Sequence, residues 1–217
     1  MSFSRGKSTN NQGRAIQLPP TVPIQHLLTS PSFPITFLEN RGDLRIAQRQ
    51  IKPLAGSNPK AGSKADVEAA TLAPANLTHN SKYNFTEYVA VKKVRFDDNS
   101  NDNRVLAAFV HEIELVDGLC HDNIVKIIGF VEDIKNGIAW MVFSWEQNGN
   151  LREFVRSASW ELPERVSLGI SYLHGRNPPV CHGDLKSLNI LVNSDSQALI
   201  TDFGSARAII RKIRLAR

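Results

Sequence analysis

The chain has 217 residues, enough for one domain with a terminal tail, and its 41% hydrophobic and 22% charged residues are typical of a globular protein. No apolar run reaches the eighteen or more residues of a membrane-spanning helix, and the first residues, "MSFSRGKSTNNQGR", lack the apolar segment of a secretory signal. We therefore expect neither an integral membrane protein nor a secreted one.

The formal net charge of +5 comes from the two ends of the chain. Residues 1–52 carry seven Lys/Arg and two Asp/Glu, and residues 205–217 carry five Lys/Arg and no acidic residue. Without a dense basic run or interleaved aromatic residues, such ends are more typical of solvated tails than of nucleic-acid or membrane surfaces. The two cysteines, Cys120 and Cys181, follow no metal-binding spacing, which favours a reducing, cytoplasmic location.

Residues 1–55 are predicted to be a disordered basic tail. The segments "LPPTVP" and "TSPSFP" break helices, and only "FLENRGDLRIAQRQI" (37–51) favours a short helix. Residues 56–217 are assigned to one domain, in which about 56–145 form a first lobe and 146–217 part of a second.

The domain alternates strand and helix patterns. Tyr88–Phe96 is rich in Val and aromatic residues and predicts a strand, whereas Arg104–Leu119 places apolar residues at helical spacing. Two apolar runs then meet at Asn136-Gly137, which indicates a hairpin turn. Helical patterns around "LREFVR" and "ERVSLGISYLHG" follow, and the order indicates an α+β fold.

Polar residues with the chemistry of phosphoryl transfer are concentrated in "HGDLKSLN" and "DFG". Asp184 and Asn189 lie five residues apart, and Asp202 follows thirteen residues later. Carboxylate and amide oxygens are hard ligands that suit Mg²⁺, while a lysine near a carboxylate can neutralise a phosphoryl group as the carboxylate takes a proton. Upstream, Lys92 on a strand and Glu112 on the next helix have a spacing that lets them pair.

Together these motifs resemble the protein kinase family. The segment "VAVK" (Val89–Lys92) resembles the strand with the ATP-phosphate lysine, Glu112 resembles its helix partner, and "HGDLKSLN" and "DFG" resemble the catalytic loop and the magnesium motif. The resemblance implies a bilobal fold, with an antiparallel sheet and one regulatory helix in the N-lobe and an incomplete helical C-lobe. It also implies a serine/threonine protein kinase that uses ATP and Mg²⁺ on a protein substrate.

The resemblance assigns roles to individual residues. Asp184 would be the catalytic base and Lys186 would contact the transferred phosphate, while Asn189 and Asp202 would hold Mg²⁺. Nucleotide contacts are expected from a glycine-rich loop, a strand and a hinge whose gatekeeper is Phe143. The residues concerned, besides Lys92 and Glu112, are Gly62, Ala65, Val67, Ala90, Phe143, Ser144, Trp145 and Glu146.

Two motifs depart from the family pattern. In "KAGSKADV" (Lys60–Val67), Lys60 replaces the first glycine of the loop, Gly62 keeps the second and Ala65 replaces the third, so a plain linker is an alternative interpretation of this stretch. Gly183 stands where the family has an arginine that pairs with an activation-loop phosphate. This change bears on regulation rather than on the chemical step.

The C-terminal part is expected to be short of cover. The helix before the catalytic loop looks shortened between Leu168 and Gly169, which would rotate Tyr172 and Leu173 off its apolar face. The family's later helices are absent from the sequence, so Leu185, Leu188, Ile190, Leu191 and Ile200 are expected to be poorly covered, and a partner is expected over the incomplete lobe. A catalytically silent kinase-like binding module and a truncated kinase fragment are the alternatives to an active enzyme.

Overall fold

The computed structural model describes residues 33–62, 64–74, 86–96, 102–155 and 163–210. Parts of the predicted tail and of the predicted loops, including residues 1–32, 75–85 and 211–217, lie outside these ranges. Within the described part of the chain, no helix combines the length and the apolar character that a membrane span requires.

A six-stranded antiparallel sheet forms the first half of the domain. Its strands are β1 (Ile51–Pro53), β2 (Lys60–Ala61), β3 (Ala65–Leu72), β4 (Glu87–Val94), β5 (Ile127–Asp133) and β6 (Ile138–Ser144). The order is β1-β3-β4-β6-β5, and β2 pairs with β3 beside β1. The hairpin predicted at Asn136-Gly137 is confirmed, because β5 pairs with β6 and Gly137 adopts a left-handed conformation that glycine accepts without strain.

The two faces of this sheet have different environments. On one face Val89 and Val91 of β4 are fully buried in a small apolar cluster with residues of β3, β5 and β6. The intervening Ala90 and Lys92 project to the other face, because successive side chains of a strand alternate. That second face borders the cleft described below.

Helix α2 (Asp102–Asp117) packs beside β5 and β6. Its buried apolar residues recur at helical spacing and belong to the main core, as the sequence pattern predicts. They are Leu106, Phe109, Val110, Ile113 and Val116.

The prediction of a disordered tail up to residue 55 is wrong for residues 33–55. Helix α1 (Phe33–Asn40) packs against α2 and buries Leu38, and 3₁₀ turns at Gly42–Leu44 and Gln48–Gln50 lead into β1. The ordering energy comes from burial against a distant helix. Such a contact leaves only a weak pattern in the local sequence.

Among its described residues, the second half of the domain contains two helices and two small sheets. Helices α3 (Leu151–Val155) and α4 (Pro163–His174) precede β7 (Val180–Cys181), β8 (Ile190–Val192), β9 (Ala198–Ile200) and β10 (Arg207–Ala208). Strand β8 pairs with β9, and β10 pairs with β7, both antiparallel. With the sheet and α2, these elements confirm the predicted α+β fold with an incomplete helical second lobe.

The expected rotation of α4 is wrong. Leu173 is fully buried, and the Tyr172 hydroxyl accepts a hydrogen bond from the Cys120 N–H at 2.8 Å while its ring stacks on His121. Gly169 lies so close to Asn123 and Ile200 that a Cβ there would be within about 3 Å of both. The helix therefore keeps its apolar face against β9. It can lie this close to β9 because residue 169 has no side chain.

The expectation of poor cover holds for only part of the predicted set. Leu185 and Leu188 are exposed, as are Leu168, Ile209 and Ile210. Ile190 and Ile200, by contrast, are buried in the core between α4, β8 and β9, and Leu191 is half-buried. The β8–β9 hairpin thus carries its own apolar packing.

Candidate active site

A lysine bridging two carboxylates lies at the centre of the site. Lys92 Nζ is 2.6 Å from Glu112 Oε1 and 2.7 Å from Asp202 Oδ1. The Lys92 and Glu112 side chains are 17% and 6% exposed, whereas Asp202 is 42% exposed. The lysine is therefore held from the protein side by Glu112 and linked on the open side to Asp202.

Long-range packing brings these three residues together. Lys92 lies in the middle of β4, flanked in register by Val67 of β3 and Met141 of β6. Glu112 is on α2, and Asp202 directly precedes the 3₁₀ turn Phe203–Ser205, which packs against α2. Because Asp202 has a positive φ of 63°, its backbone occupies a conformation that non-glycine residues rarely adopt. Such conformations are concentrated at functional sites.

The electrostatics favour a charged lysine. Burial lowers the pKa of the Lys92 ammonium, but the charges of Glu112 and Asp202 and the hydrogen bonds to them outweigh this effect and raise the pKa above its ordinary value. For the Glu112 carboxyl, burial acts in the opposite direction and raises the pKa. The charge of Lys92 opposes that rise. The ammonium is therefore the group that most opposes the effect of burial on this carboxyl.

The loop from His182 to Asn189 carries the second polar group. Lys186 Nζ donates to Asp184 Oδ2 at 2.7 Å, and Asn189 Nδ2 donates to the Asp184 carbonyl at 2.9 Å and to its Oδ2 at 3.1 Å. The hydrogen bond from Lys186 is the main cause that holds the pKa of Asp184 below its usual range. Asp184 is therefore an ionised carboxylate, able to accept a proton from a ligand.

The same loop is fixed from behind by His182 and Gly183. His182 Nε2 lies 3.0 Å from the Thr201 carbonyl, and its ring packs edge-on against Phe203. Gly183 has a φ of 80°, and a Cβ there would lie 2.5 Å from the Ser205 carbonyl oxygen. Sequence reasoning treated Gly183 as a missing arginine. It did not identify this close approach, because no local pattern reports a contact with residue 205.

Lys92, Glu112, Asp202 and Asn189 border one cleft of about 460 Å³ between the sheet and the second half of the domain. All the predicted nucleotide and metal residues line it, whereas Asp184 and Lys186 are not among its lining residues. Val125, Asn150 and Leu191 also line the cleft and were missed by sequence reasoning, since each resembles an ordinary core or loop residue.

One wall of the cleft is the segment predicted as a hinge. Phe143, at the end of β6, is buried and opposes Ala90 of β4 in register. After the strand, the Ser144 hydroxyl donates to Glu146 Oε1 at 2.8 Å, and Trp145 remains exposed. The segment from Phe143 to Glu146 therefore borders the cleft, and the Ser144 N–H is already bonded to the Lys126 carbonyl at 3.3 Å.

The stretch with the degenerate glycine motif is a hairpin that covers the cleft, not a linker. Lys60 pairs with Val67 across β2 and β3, and the Gly62 N–H donates to the Ala65 carbonyl at 2.9 Å. A Cβ at Gly62 would lie 2.8 Å from that same oxygen, so the one retained glycine is where the turn needs it. The Arg95 guanidinium holds the hairpin by pairing with Asp66.

The hairpin also reaches the opposite wall. Lys60 Nζ lies 3.0 Å from both carboxylate oxygens of Glu153 on α3. The sequence did not predict this ion pair, because Lys60 occupies a position where the motif expects a glycine. The contact links the hairpin to α3 beside the cleft.

The donor set fits a magnesium ion that shares its shell with phosphate and water. In the part of the chain that the structure describes, no three His, Cys, Asp or Glu side chains form a metal cluster. Asp202 is a carboxylate that opens into the cleft, and Asn189 has a side-chain oxygen that its two donor bonds do not use. Mg²⁺ is commonly held by one or two protein oxygens, with phosphates completing its shell.

The fold and the site define a two-lobed domain whose cleft suits an anionic, metal-bound ligand. The chain belongs to the protein kinase domain family, because the family model described as protein kinase domain matches residues 78–216, more than half of the chain. Members of this family use ATP and divalent metal ions. The predicted family is confirmed.

Curated relatives come from Arabidopsis thaliana. The chain is 28% identical to Protein LYK5 over 172 residues, which cover 72% of this chain and 26% of that protein. It is 34% identical to MDIS1-interacting receptor like kinase 1 over 137 residues, covering 57% and 13%. It is 33% identical to Probable serine/threonine-protein kinase PBL28 over 138 residues, covering 56% and 35%. The chain thus spans only about a third or less of the length of these relatives.

Proposed function

We propose that this chain is an ATP-dependent protein kinase that transfers the γ-phosphoryl group to serine or threonine hydroxyls of a protein. The observation that carries the proposal is the Lys92 bridge, which links the buried Glu112 at 2.6 Å to the cleft-facing Asp202 at 2.7 Å. This arrangement holds one cation at a fixed point of the cleft wall, as binding of nucleotide phosphates requires. The name of the relative Probable serine/threonine-protein kinase PBL28 supports the substrate class.

Each polar residue then has a role in the transfer. Lys92 would bind the phosphates next to the one transferred, and the backbone from Phe143 to Glu146 would hold the base of the nucleotide. Asp184 would accept the proton of the acceptor hydroxyl as its oxygen bonds to the γ-phosphorus and the bond to the β–γ bridging oxygen breaks. Lys186, 2.7 Å from Asp184, would neutralise charge on the transferred group.

Asn189 and Asp202 would hold the magnesium ion. When bound, the ion neutralises phosphate charge and fixes the orientation of the phosphates. Asn189 is itself held by its two hydrogen bonds to Asp184, which couples the metal side of the site to the residue that accepts the proton.

The catalytically silent binding module remains the alternative that an experiment must separate from an enzyme. Ala65 in place of a glycine and the Lys60–Glu153 bridge both narrow the approach of phosphates to the hairpin. The exposed Leu168 and Leu185 support a partner over the second lobe. We also infer a cytoplasmic location, which the free thiols of Cys120 and Cys181 support. The absence of nucleic-acid and membrane partners stays a prediction.

A thermal melt with and without Mg·ATP tests the nucleotide site. A ligand at one hundred times its Kd stabilises the folded state by about 2.7 kcal/mol, which corresponds to a midpoint shift of roughly 5–10 °C for a domain of this size. The shift should need magnesium and should disappear in Lys92→Ala. Lys135→Ala is the matched control, because Lys135 is an exposed lysine in the turn between β5 and β6 and does not line the cleft.

Phosphotransfer is then measured with γ-labelled ATP on serine- and threonine-containing protein substrates. Asp184→Asn should keep the magnesium-dependent midpoint shift and lose the transfer of label. A midpoint shift without transfer in the unsubstituted chain would favour the silent module, and no shift at all would refute the nucleotide site.

A further inference from the structure

The residues from α1 to Ile46 form a strap, here defined as residues 33–46, that lies outside the matched kinase region. The strap runs from the outer side of α2 to the edge of the sheet at β5. Nothing in the proposed chemistry assigns it a role. It contacts α2, which carries Glu112, and the sheet, which carries Lys92. The separation of these two elements decides whether Glu112 reaches Lys92.

The first end of the strap holds α2. Leu38 is 3% exposed and belongs to the same core cluster as Phe109 and Val110 of α2. Just after α1, Arg41 Nη1 donates to Asp117 Oδ2 at 2.7 Å, and Asp117 is the last residue of α2. The strap therefore fixes both the side and the C-terminal end of the helix that carries Glu112.

The second end of the strap holds the sheet. The Ile46 N–H donates to the Phe130 carbonyl of β5 at 2.8 Å, and Arg45 pairs with Glu132. Gly129 in β5 makes this approach possible, because a Cβ there would lie 2.3 Å from the Leu44 carbonyl oxygen. Since β5 pairs with β6 and β6 with β4, this end is connected through the sheet to Lys92.

We infer that the strap positions α2 so that Glu112 meets Lys92, and that Arg41 is a positioning residue for the phosphotransfer site. This inference rests on the proposed function for its effect on activity, but the positioning of α2 can be measured without nucleotide. An α-helix is stiff over its length, so a tie at Asp117 limits movement of Glu112, which lies five residues earlier. Loss of the tie leaves α2 held by its apolar face, by the contact of His111 Nε2 with the Ala206 carbonyl and by Glu112 itself, and it removes the ion pair that joins the strap to the last residue of the helix.

Arg41→Gln tests the tie, and Arg49→Gln is the matched control. Arg49 lies in the same N-terminal segment, is exposed, and makes no hydrogen bond or ion pair among the described residues. Two measurements use the chain without nucleotide. They are amide hydrogen exchange of a peptide covering 106–117, with 190–200 as internal reference, and the rate at which an acylating reagent modifies Lys92.

The expected result is a three- to fivefold faster exchange of 106–117 in Arg41→Gln, about the effect of losing one partly exposed ion pair. Lys92 should become acylated several times faster, because an amine that loses the contact with Glu112 is more accessible to the reagent. Because Arg41 also donates to both carboxylate oxygens of Asp43 at 3.1 Å, a double-mutant cycle isolates the Asp117 contact: in an Asp117→Asn background, Arg41→Gln should change neither rate further. Arg49→Gln should change neither.

Unchanged exchange in Arg41→Gln would overturn the inference. Faster exchange with unchanged Lys92 acylation would overturn it too, because α2 would then loosen without moving Glu112. If the unsubstituted chain shows no magnesium-dependent nucleotide shift, the proposed function fails, yet these two rates still decide the positioning. If it does bind, Arg41→Gln should weaken the Mg·ATP affinity several-fold more than Arg49→Gln does.

Discussion

Truncation of Leu38 tests whether residues 33–40 belong to the folded domain. Leu38 is 3% exposed within the main core, whereas Ile35 on the same helix is 53% exposed. Leu38→Ala removes a fully packed side chain and leaves a cavity, which should lower the free energy of unfolding by about 3 kcal/mol. Ile35→Ala removes a half-solvated side chain, and the better helix propensity of alanine offsets part of the loss, so the cost should stay below about 1 kcal/mol.

Urea unfolding gives the free energies of both variants, and thermal unfolding gives their midpoint temperatures, each followed by circular dichroism. The midpoint temperature of Leu38→Ala should fall by roughly 6–12 °C, and that of Ile35→Ala by no more than about 4 °C. Equal effects of the two truncations, or a Leu38→Ala cost below 1 kcal/mol, would show that α1 does not pack on α2. Residues 33–40 would then not belong to the folded domain.

Two further predictions concern the catalytic loop. Lys186→Ala should raise the pKa of Asp184 toward its ordinary value, because the hydrogen bond from Lys186 is the main cause that lowers it. Carbon-detected NMR titration of the Asp184 carboxyl measures this pKa, and an unchanged titration would contradict the prediction. Gly183→Ala should destabilise the chain by about 1–3 kcal/mol in urea unfolding, because residue 183 has a positive φ and its new Cβ would clash with Ser205. In the control Gly42→Ala, the new Cβ meets no atom within 4 Å, so the cost should be less than about 1 kcal/mol.

Local patterns were sufficient for the elements that carry the site. Alternating Val residues around Lys92 predicted β4, and helical spacing around Glu112 predicted α2. The Asn136-Gly137 pair fixed the position of the β5–β6 turn, because few dipeptides accept the backbone conformation that this turn requires. The polar residues of the site were identifiable because several chemically matched side chains occur together, and not because any one is distinctive.

Contacts between distant segments were not predictable in the same way. The segment "FPITFLEN" has ordinary helix signals, and it folds because Leu38 meets residues about seventy positions later. Gly183 and Gly169 have a role only in relation to Ser205 and to Ile200, respectively. A sequence pattern reports the period of an element and its turn residues, but it contains no information about which distant backbone approaches a glycine.

The two sides of the site differ in how firmly the protein holds them, and this difference has a consequence for the order of events. Lys92 and Glu112 are fixed by burial in the sheet and α2, whereas Asp184 and Lys186 are 41% and 49% exposed and are held mainly by each other and by Asn189. An exposed ion pair contributes little rigidity, because solvent competes with it. In the proposed transfer, nucleotide binding would therefore depend on groups that the fold already orders, while alignment of the acceptor hydroxyl with Asp184 would depend on the incoming protein substrate. Substitutions of Lys92 or Glu112 should accordingly change nucleotide affinity. Substitutions of Asp184 or Lys186 should change turnover at nearly constant affinity.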